Sequence, residues 1–360
     1  MAQTTKCRAR GLGVPFEGEP GPWNAITDVP GITVGHETVI EGDRVRTGVT
    51  AVLPRGRDGA LARVPGAYVS LNGNGEMTGC HWIEESGLIE GPLMLTNTYS
   101  VGVVRDAVIA WLGGLGATPE ADFTLPVVAE TYDGYLNDIA GQHVTREHAF
   151  RALDAAKAGP VAEGAVGGGT GMITHEWKGG IGTSSRIVET AGRRYTLGAL
   201  VQSNYGLRQQ LAIAGVPVGR EIAHSLPSLN RRKDGSIIGF IATDAPLLPH
   251  QLKRLARRAG MGLARLGSTA RDSSGDLFLA FSTASPVPDS GLECWPALPA
   301  GGAINPLFDA VVQTIEEAIV NALVAAGTMT GIHGSIVHAL PHDELQAVLA
   351  KYNRLARPAG

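Results

Sequence analysis

Residues 234–252 read DGSIIGFIATDAPLLPHQL and place the dipeptide Gly235-Ser236 at the start of an apolar run. The segment before it, 220–235, is polar and carries five cationic or potentially cationic side chains, which predicts an exposed, mobile loop. Residues 236–243 are apolar or small and predict a buried strand. Ser236 is therefore expected where a mobile loop enters the core.

The rest of the chain mixes strand and helix signals. Further strands are predicted at 47–53, 67–71, 196–203 and 276–283. Apolar residues at helical spacing predict helices at 105–115, 145–158, 249–266, 305–326 and 342–355. Turns are predicted at 166–172 and 179–185, and an extended arm over about residues 1–24. This mixture favours a layered sandwich in which helices cover sheets on both sides, with the strand order left open.

Two of these helices have recognisable starts. Thr145 is predicted to be the N-cap of the helix at 145–158, and Asn305 to be the N-cap of the long helix, with Pro306 in its first turn. In the long helix the apolar residues share one face, so Glu316 and Glu317 are expected to point away from it.

Composition limits the class of protein. The chain has 360 residues, 44% hydrophobic and 18% charged, with a net charge of −4, so a sizeable core is expected and nucleic acid is a poor partner. Cys7, Cys80 and Cys294 form no CxxC pair, which argues against a zinc ribbon or a disulfide framework. No apolar run is long enough to span a membrane, and the N-terminal residues lack the apolar region of a signal peptide. A soluble, cytoplasmic protein is expected, with no membrane partner.

The bond between Gly235 and Ser236 is a candidate for self-cleavage. A serine hydroxyl can attack the preceding carbonyl, giving an ester that water hydrolyses, and glycine leaves that carbonyl uncrowded. The freed serine has an α-amine with an ordinary pKa of about 7.7–8.0, which can act as general base for its own hydroxyl. Gly-Ser dipeptides also occur at 267–268 and 334–335. By pattern alone, an ordinary loop-to-strand junction is the better explanation.

Two other signals are rejected as binding sites. The run GGGTG at 167–171 lacks the GK[ST] ending of a phosphate-binding loop. His333, His338 and His342 have a spacing that suits no standard zinc helix, and Pro341 interrupts it. No metal ion is expected.

Eight segments, taken in order, carry a resemblance to a known family. They are NAITDVPGITVGH (24–36), LNGNGEMTG (71–79), LTNTYSVG (95–102), ETYDGYLND (130–138), VGGGTGM (166–172), LVQSNYG (200–206), DGSIIGFIATDAPLLPHQL (234–252) and SSGDLFLAFSTA (273–284). From about residue 24 to 343 the chain resembles the L-aminopeptidase/D-Ala-esterase/amidase family, which includes the β-aminopeptidases.

The resemblance implies an α+β fold, a four-layer αββα sandwich like that of N-terminal-nucleophile hydrolases but with different connectivity. Family members are precursors that cut themselves before the nucleophile, which here implies one domain divided into chains 1–235 and 236–360. The two chains stay together, need no metal or other cofactor, and commonly form a homotetramer of the two-chain unit.

The resemblance also assigns roles to individual residues. Ser236 matches the nucleophile, with Gly235 on the other side of the cut bond. Asn204 and Tyr132 match donors to the oxyanion. Glu130 matches the carboxylate that holds the substrate's ammonium group.

Ser274 and Asp276 match a serine and an acid that form hydrogen bonds near the nucleophile's amine. Asp276 departs from the family pattern, because the β-aminopeptidase branch has Glu there and Asp is one methylene shorter.

Each of these residues also has a structural alternative. Asn204 could cap a turn, Tyr132 could be a core aromatic residue, and Glu130 could be a surface charge. Ser274 and Asp276 could be turn residues.

The predicted function is that of a self-processed serine aminopeptidase that releases N-terminal residues from small peptides, amides and esters through an acyl-enzyme on Ser236. The first alternative keeps this mechanism but prefers N-terminal β-amino acids. Two others belong to different classes: a pyruvoyl-dependent decarboxylase formed by the same Gly-Ser cleavage, and an unprocessed binding protein.

Overall fold

Two β-sheets form the framework of this computed structural model, which describes residues 7–118, 123–228, 235–284 and 301–356. The strands are β1 Thr33–Glu41, β2 Val45–Leu53, β3 Val64–Gly73, β4 Leu88–Ile89, β5 Leu93–Asn97, β6 Val127–Thr131, β7 Ile173–Thr174, β8 Trp177–Lys178, β9 Gly180–Thr190, β10 Arg193–Tyr205, β11 Gly235–Thr243, β12 Gly275–Ser282, β13 Met329–Thr330 and β14 Ile336–Val337. The helices are α1 Cys80–Ser86, α2 Val101–Gly114, α3 Arg146–Asp154, α4 Val218–Glu221, α5 Pro249–Arg265, α6 Asn305–Ala325 and α7 His342–Lys351.

The larger sheet has six strands in the order β4-β3-β12-β11-β10-β9, and the smaller has four in the order β1-β2-β5-β6. Strand β11 lies inside the larger sheet, antiparallel to β10 and parallel to β12. Helix α5 makes the crossover that a parallel pair of consecutive strands requires. The residue at the start of β11 is therefore held between two strands.

Apolar side chains divide the molecule into four layers. Helices α2 and α3 pack on the smaller sheet, and α5 and α6 pack on the larger one. Between the sheets, residues such as Val52 and Leu95 meet Ile238 and Leu279. Alternating residues of β11 and β12 face this central layer, and the others face the helices, which is why both strands are apolar along most of their length. The predicted αββα sandwich is confirmed.

The predicted elements differ from the observed ones mainly at their ends. The strand predicted at 236–243 and the helix at 249–266 correspond to β11 and α5 within one residue. Helices α3 and α7 end four residues earlier than predicted, at Asp154 and Lys351. Thr145 occupies the N-cap of α3 as predicted, and its backbone N–H donates to Nδ1 of His148 at 3.0 Å.

The turn predicted at 179–185 is wrong, because residues 180–185 of this glycine- and serine-rich segment belong to the long strand β9. Within this segment, Gly182 allows close packing against α6. A Cβ at Gly182 would collide with the carbonyl oxygen of Ala318 in α6. Small residues here let the helix backbone approach the strand, so the composition that suggested a turn reflects an interlayer contact.

Two expectations for α6 are also corrected. Asn305 has helical dihedral angles, so the N-cap is Ile304. Glu317 does not point to solvent: it is fully buried and pairs with buried Arg186 at 2.7 Å and with Arg10 at 2.8 Å. These guanidinium groups lower the pKa of Glu317 against the opposing effect of its burial. Helix position alone could not reveal partners supplied by β9 and by the N-terminal segment.

The N-terminal segment is less extended than predicted, because Ala9–Leu12 forms a 3₁₀ turn whose Ala9 and Leu12 are buried. Within the predicted loop 220–235, residues 220 and 221 belong to α4, and 229–234 lie outside the described residues. Of the helices in the described part of the chain, none combines the length and the apolarity needed to cross a membrane.

Candidate active site

Ser236 lies one residue into β11 and is almost completely buried. In the antiparallel ladder it stands opposite Asn204 of β10, and its neighbour Ile237 stands opposite Asp276 of β12. Gly235 has a φ of +74°, a left-handed conformation that glycine adopts at little cost. The sheet register thus brings three of the predicted site residues together at the Gly235–Ser236 bond.

A backbone donor holds the Ser236 hydroxyl. The N–H of Gly275 donates to Oγ of Ser236 at 3.1 Å. A Cβ at Gly275 would collide with the carbonyl oxygen of Asn74, so only glycine fits at this contact between β12 and the end of β3. That contact is reinforced by Nδ2 of Asn74, which donates to the carbonyl of Ser273 at 2.7 Å.

Ser274 and Asp276 form a buried pair close to Ser236. The Ser274 hydroxyl donates to Oδ1 of Asp276 at 2.7 Å. Burial raises the pKa of Asp276 to about 6, while the hydrogen bonds from Ser274 and from the Ile237 backbone pull it down. The shorter side chain of Asp276 therefore still holds Ser274 and the backbone next to Ser236. A carboxyl group with this pKa can accept or share a proton near neutral pH.

The side-chain amide of Asn204 has a defined orientation. Its Oδ1 accepts the backbone N–H of Ile173 at 2.8 Å, and its Nδ2 donates to the carbonyl oxygen of Tyr132 at 2.9 Å. A backbone N–H can only donate and a carbonyl can only accept, so these two partners fix which atom is nitrogen. The NH₂ group therefore lies on the side of Tyr132, and Asn204 holds this orientation in the ladder position opposite Ser236.

Glu130 is a buried carboxylate at the end of β6. Its Oε1 accepts the backbone N–H of Glu76 at 3.0 Å, and its Oε2 accepts a short hydrogen bond from the Thr98 hydroxyl. Burial raises the pKa of Glu130, and these two donors lower it in part. A Cβ at Gly75 would lie 3.4 Å from Oε1 of Glu130 and 3.3 Å from Cα of Gly275. Gly75 thus lies between the Glu130 carboxylate and Gly275, whose backbone N–H contacts Ser236.

Tyr132 is placed differently from the other predicted residues. The residue is 48% exposed, and its hydroxyl lies against Gly134, where a Cβ would collide with it. Burial and the nearby Tyr99 and Asp133 raise the pKa of the phenol. Among the described residues, the structure joins Tyr132 to the site through its backbone carbonyl and Asn204. The hydroxyl makes no hydrogen bond to Ser236 within that part of the chain.

Several contributors to the site were not predicted individually. The backbone N–H groups of Gly275, Glu76 and Ile173 and the hydroxyl of Thr98 position the predicted side chains. Three of the four, Glu76, Thr98 and Gly275, lie in segments that carried the family resemblance, which was the available signal. Their roles depend on contacts between distant segments, which spacing cannot show.

The described residues contain no group of three or more His, Cys, Asp or Glu side chains arranged to hold a metal ion. The site instead brings together the Ser236 hydroxyl, the Asn204 amide, the Ser274–Asp276 pair with its titratable carboxyl group, and the buried Glu130 carboxylate. This set of groups can perform acyl transfer on a substrate that carries a positive charge.

Comparison with curated proteins identifies two close relatives. The β-peptidyl aminopeptidase BapA of Sphingosinicella microcystinivorans is 52% identical, over 97% of this chain and 93% of its own length. BapA of Sphingosinicella xenopeptidilytica is 50% identical, over 95% of this chain and 90% of its own length.

Solved structures agree with the fold. The L-aminopeptidase D-Ala-esterase/amidase of Ochrobactrum anthropi, described as a prototype serine aminopeptidase and a new variant of the Ntn hydrolase fold, superposes with a TM-score of 0.90 and 47% identity, covering 98% of this chain and 100% of that one. A β-aminopeptidase of Burkholderia sp. has a TM-score of 0.86 and 48% identity, covering 96% and 98%.

The family resemblance predicted from the sequence is confirmed, and with it the assignment as a hydrolase of the serine aminopeptidase type. Residues 24–337 match peptidase family S58. That range holds every predicted site residue. The chain therefore belongs to peptidase family S58.

Proposed function

We propose that this S58 enzyme is a β-peptidyl aminopeptidase, which cuts itself between Gly235 and Ser236 and then releases N-terminal β-amino acids from small peptides and amides. The observation that carries the substrate preference is the 52% and 50% identity, over nearly the whole chain, to two β-peptidyl aminopeptidases. They favour the β-amino acid alternative over the first expectation of ordinary L-residues. The alternative function of an L-aminopeptidase is supported by the 47% identity to the Ochrobactrum enzyme.

Self-cleavage begins in the continuous chain. Oγ of Ser236 attacks the carbonyl carbon of Gly235, its proton passes to the departing nitrogen, and the peptide C–N bond breaks to leave an ester. Water then hydrolyses that ester, which restores the Ser236 hydroxyl and leaves Gly235 with a carboxylate. The left-handed φ of Gly235 and the hydrogen bond from Gly275 to Oγ support this reaction, because they hold the two reacting groups in a fixed backbone geometry.

The mature enzyme repeats the same attack on its substrate. The α-amine of Ser236 takes the hydroxyl proton, and Oγ attacks the carbonyl of the first substrate residue. Asn204 donates to the developing oxyanion, the leaving amine collects the proton, and water releases the acyl group. The pair Ser274 and Asp276 is placed beside Ile237, where it can hold the new amine in position.

Glu130 is the proposed anchor for the substrate's ammonium group. A buried carboxylate with a raised pKa gains from a cationic partner, which replaces the water it has lost. Gly75 lies between Glu130 and Gly275, so no side chain intrudes between the anchor and the backbone that holds Ser236. A substrate with its amine displaced from the scissile carbonyl can use both groups at once.

Intact-mass spectrometry tests the processing step. Wild-type protein should give two fragments that meet at Gly235 and Ser236, and Ser236→Ala should give one chain. Ser268→Ala, at another Gly-Ser dipeptide, is the matched control and should be cut like wild type. A fragment that has lost ammonia would indicate a pyruvoyl group, and an uncut wild type without activity would indicate a binding protein.

Paired anilides test the preference. We expect a higher kcat/KM for a β-alanine anilide than for the L-alanine anilide. The reverse order would assign the L-aminopeptidase activity. Following the family resemblance, we also propose that the two-chain unit forms a homotetramer, which light scattering would measure.

A further inference from the structure

Lys178 is a fully buried lysine on β8 that lies outside the residues assigned above. Its ammonium donates to the carbonyl oxygens of Met172 at 2.8 Å, Gly179 at 2.9 Å and Gly169 at 3.4 Å. Lysine is almost never fully buried without partners, and an ammonium group has three hydrogens to donate. The charge is therefore held by main-chain oxygens, two of them in the segment 167–172 and one in the residue that follows Lys178.

The shortest of these contacts, the one with Met172, leads directly to Asn204. The carbonyl of Met172 and the N–H of Ile173 belong to the same peptide group. That N–H donates to Oδ1 of Asn204 at 2.8 Å, and Nδ2 of Asn204 in turn donates to the carbonyl of Tyr132 at 2.9 Å. A continuous chain of hydrogen bonds thus runs from the Lys178 ammonium, through one peptide group, to the amide that faces Ser236.

The local backbone is built to return Lys178 to this peptide. Strands β7 and β8 form a two-residue hairpin in which Ile173 pairs with Lys178. The turn residues, His175 and Glu176, both have positive φ values, 48° and 61°. Such turns usually contain glycine or asparagine, so two other residues here maintain the hairpin at a cost in backbone strain.

We propose that Lys178 is a positioning residue for the oxyanion donor, acting through the Met172–Ile173 peptide on Asn204. A cation at the carbonyl end polarises the peptide, which makes its N–H a stronger donor. The stronger bond to Oδ1 fixes the Asn204 amide and increases the positive charge on its NH₂ hydrogens. The oxyanion then meets a better donor. This inference rests on the role proposed for Asn204.

A double-mutant cycle tests the relay. Lys178→Met keeps an unbranched side chain, one heavy atom shorter, and removes its charge. In the wild-type background it should lower kcat about tenfold, less than the 10²–10³-fold typical of deleting an oxyanion donor, with KM nearly unchanged. In an Asn204→Ala background the same change should lower kcat by less than about twofold, because its target is absent. All kcat values are normalised to the cut fraction measured by intact mass.

Arg208 provides the matched control. It is another buried cation held by carbonyl oxygens, those of His224 and Glu176 at 2.7 Å each, and among the described residues it does not contact the Met172–Ile173 peptide. Arg208→Met should lower the melting temperature and show the same effect on kcat in both backgrounds. Equal kcat losses from Lys178→Met in both backgrounds would overturn the relay and leave a structural cage.

If Lys178→Met does not fold, a second variant, Lys178→Gln, tests the same proposal. Lys178→Gln retains a neutral donor, and kcat and the self-cleavage rate are expected between those of wild type and of Lys178→Met. Wild-type rates in Lys178→Gln would overturn the role of the charge. An uncut, inactive wild type would overturn the proposed function and this inference with it. A cut, active wild type beside an unaffected Lys178→Met would overturn the inference alone.

Discussion

Gly275 donates its backbone N–H to the Ser236 hydroxyl from a position where no other residue fits. Gly275→Ala should force β12 and the end of β3 apart, because the new Cβ would collide with the carbonyl oxygen of Asn74. A displacement of about 1 Å at a reacting group can cost about 10²-fold in rate, so we expect self-cleavage to slow on that scale. Timed intact-mass measurements on freshly purified protein give this rate.

The ladder partner of Gly275 supplies the control. Gly73 stands directly opposite on β3, yet a Cβ there would meet only Oγ of Ser70, at an ordinary 3.6 Å. Gly73→Ala should be cut at close to the wild-type rate. If both variants, or neither, slow self-cleavage, the hydrogen bond from Gly275 does not set the geometry of Ser236.

The residues of the site differ in how much of their role the sequence alone could predict. Gly235-Ser236 could be identified as a junction from the polarity change alone, whereas its chemistry depended on family resemblance. Lys178 gave no signal, because a lysine in a short polar segment looks exposed until β7 and β8 fold it inward. The carbonyl groups that surround Lys178 are brought to it by the fold, so the sequence could not indicate them.

At the scale of elements, a continuous apolar run identified a strand that is buried on both faces, and helical spacing of apolar residues identified the helices. Strand β11 and helix α5 were predicted within a residue of their observed ends. Periodicity failed where small residues serve contact between layers, as at 179–185, because glycine suggests a turn in a local reading of the sequence. It also failed at Glu317, where a charged residue on a helix is neutralised by partners far away in sequence.

Close packing of β9 on α6 can be measured with a pair of glycine substitutions. Gly182→Ala should lower the free energy of unfolding by roughly 1–3 kcal/mol, the usual cost of overpacking, because its Cβ would collide with the Ala318 carbonyl. Gly102→Ala, in α2 with nothing within 4 Å of the new Cβ, should raise it by about 0.5–1 kcal/mol. Urea unfolding of the Ser236→Ala chain, which stays uncut, isolates folding from processing. A neutral Gly182→Ala would show that α6 can move away from β9.

For the molecule as a whole, the order of strands determines what a cut at Gly235–Ser236 leaves behind. In the larger sheet β12 and β11 follow the cut, while β3 on one side and β10 on the other precede it. Helix α6, also after the cut, packs on β9 and β10, and its Glu317 pairs with Arg186 and Arg10. The two products are therefore interleaved in one sheet and share one core.

This arrangement predicts that the cut protein behaves as one folded unit. In size-exclusion chromatography the fragments should co-elute even at about 1 M NaCl, where surface ion pairs are screened within about 3 Å, because the buried pair of Arg186 and Glu317 and the strand pairing are not exposed to salt. They should separate only when the sheet unfolds.

The unfolding midpoint of cut protein should rise with protein concentration, since two chains must associate to refold. The uncut Ser236→Ala chain has no such association step within its fold, so its midpoint should depend less on concentration over the same range. Fragments that separate in salt alone would mean that the cut loosens the sheet, and the mature site would then differ from the one described for the continuous chain.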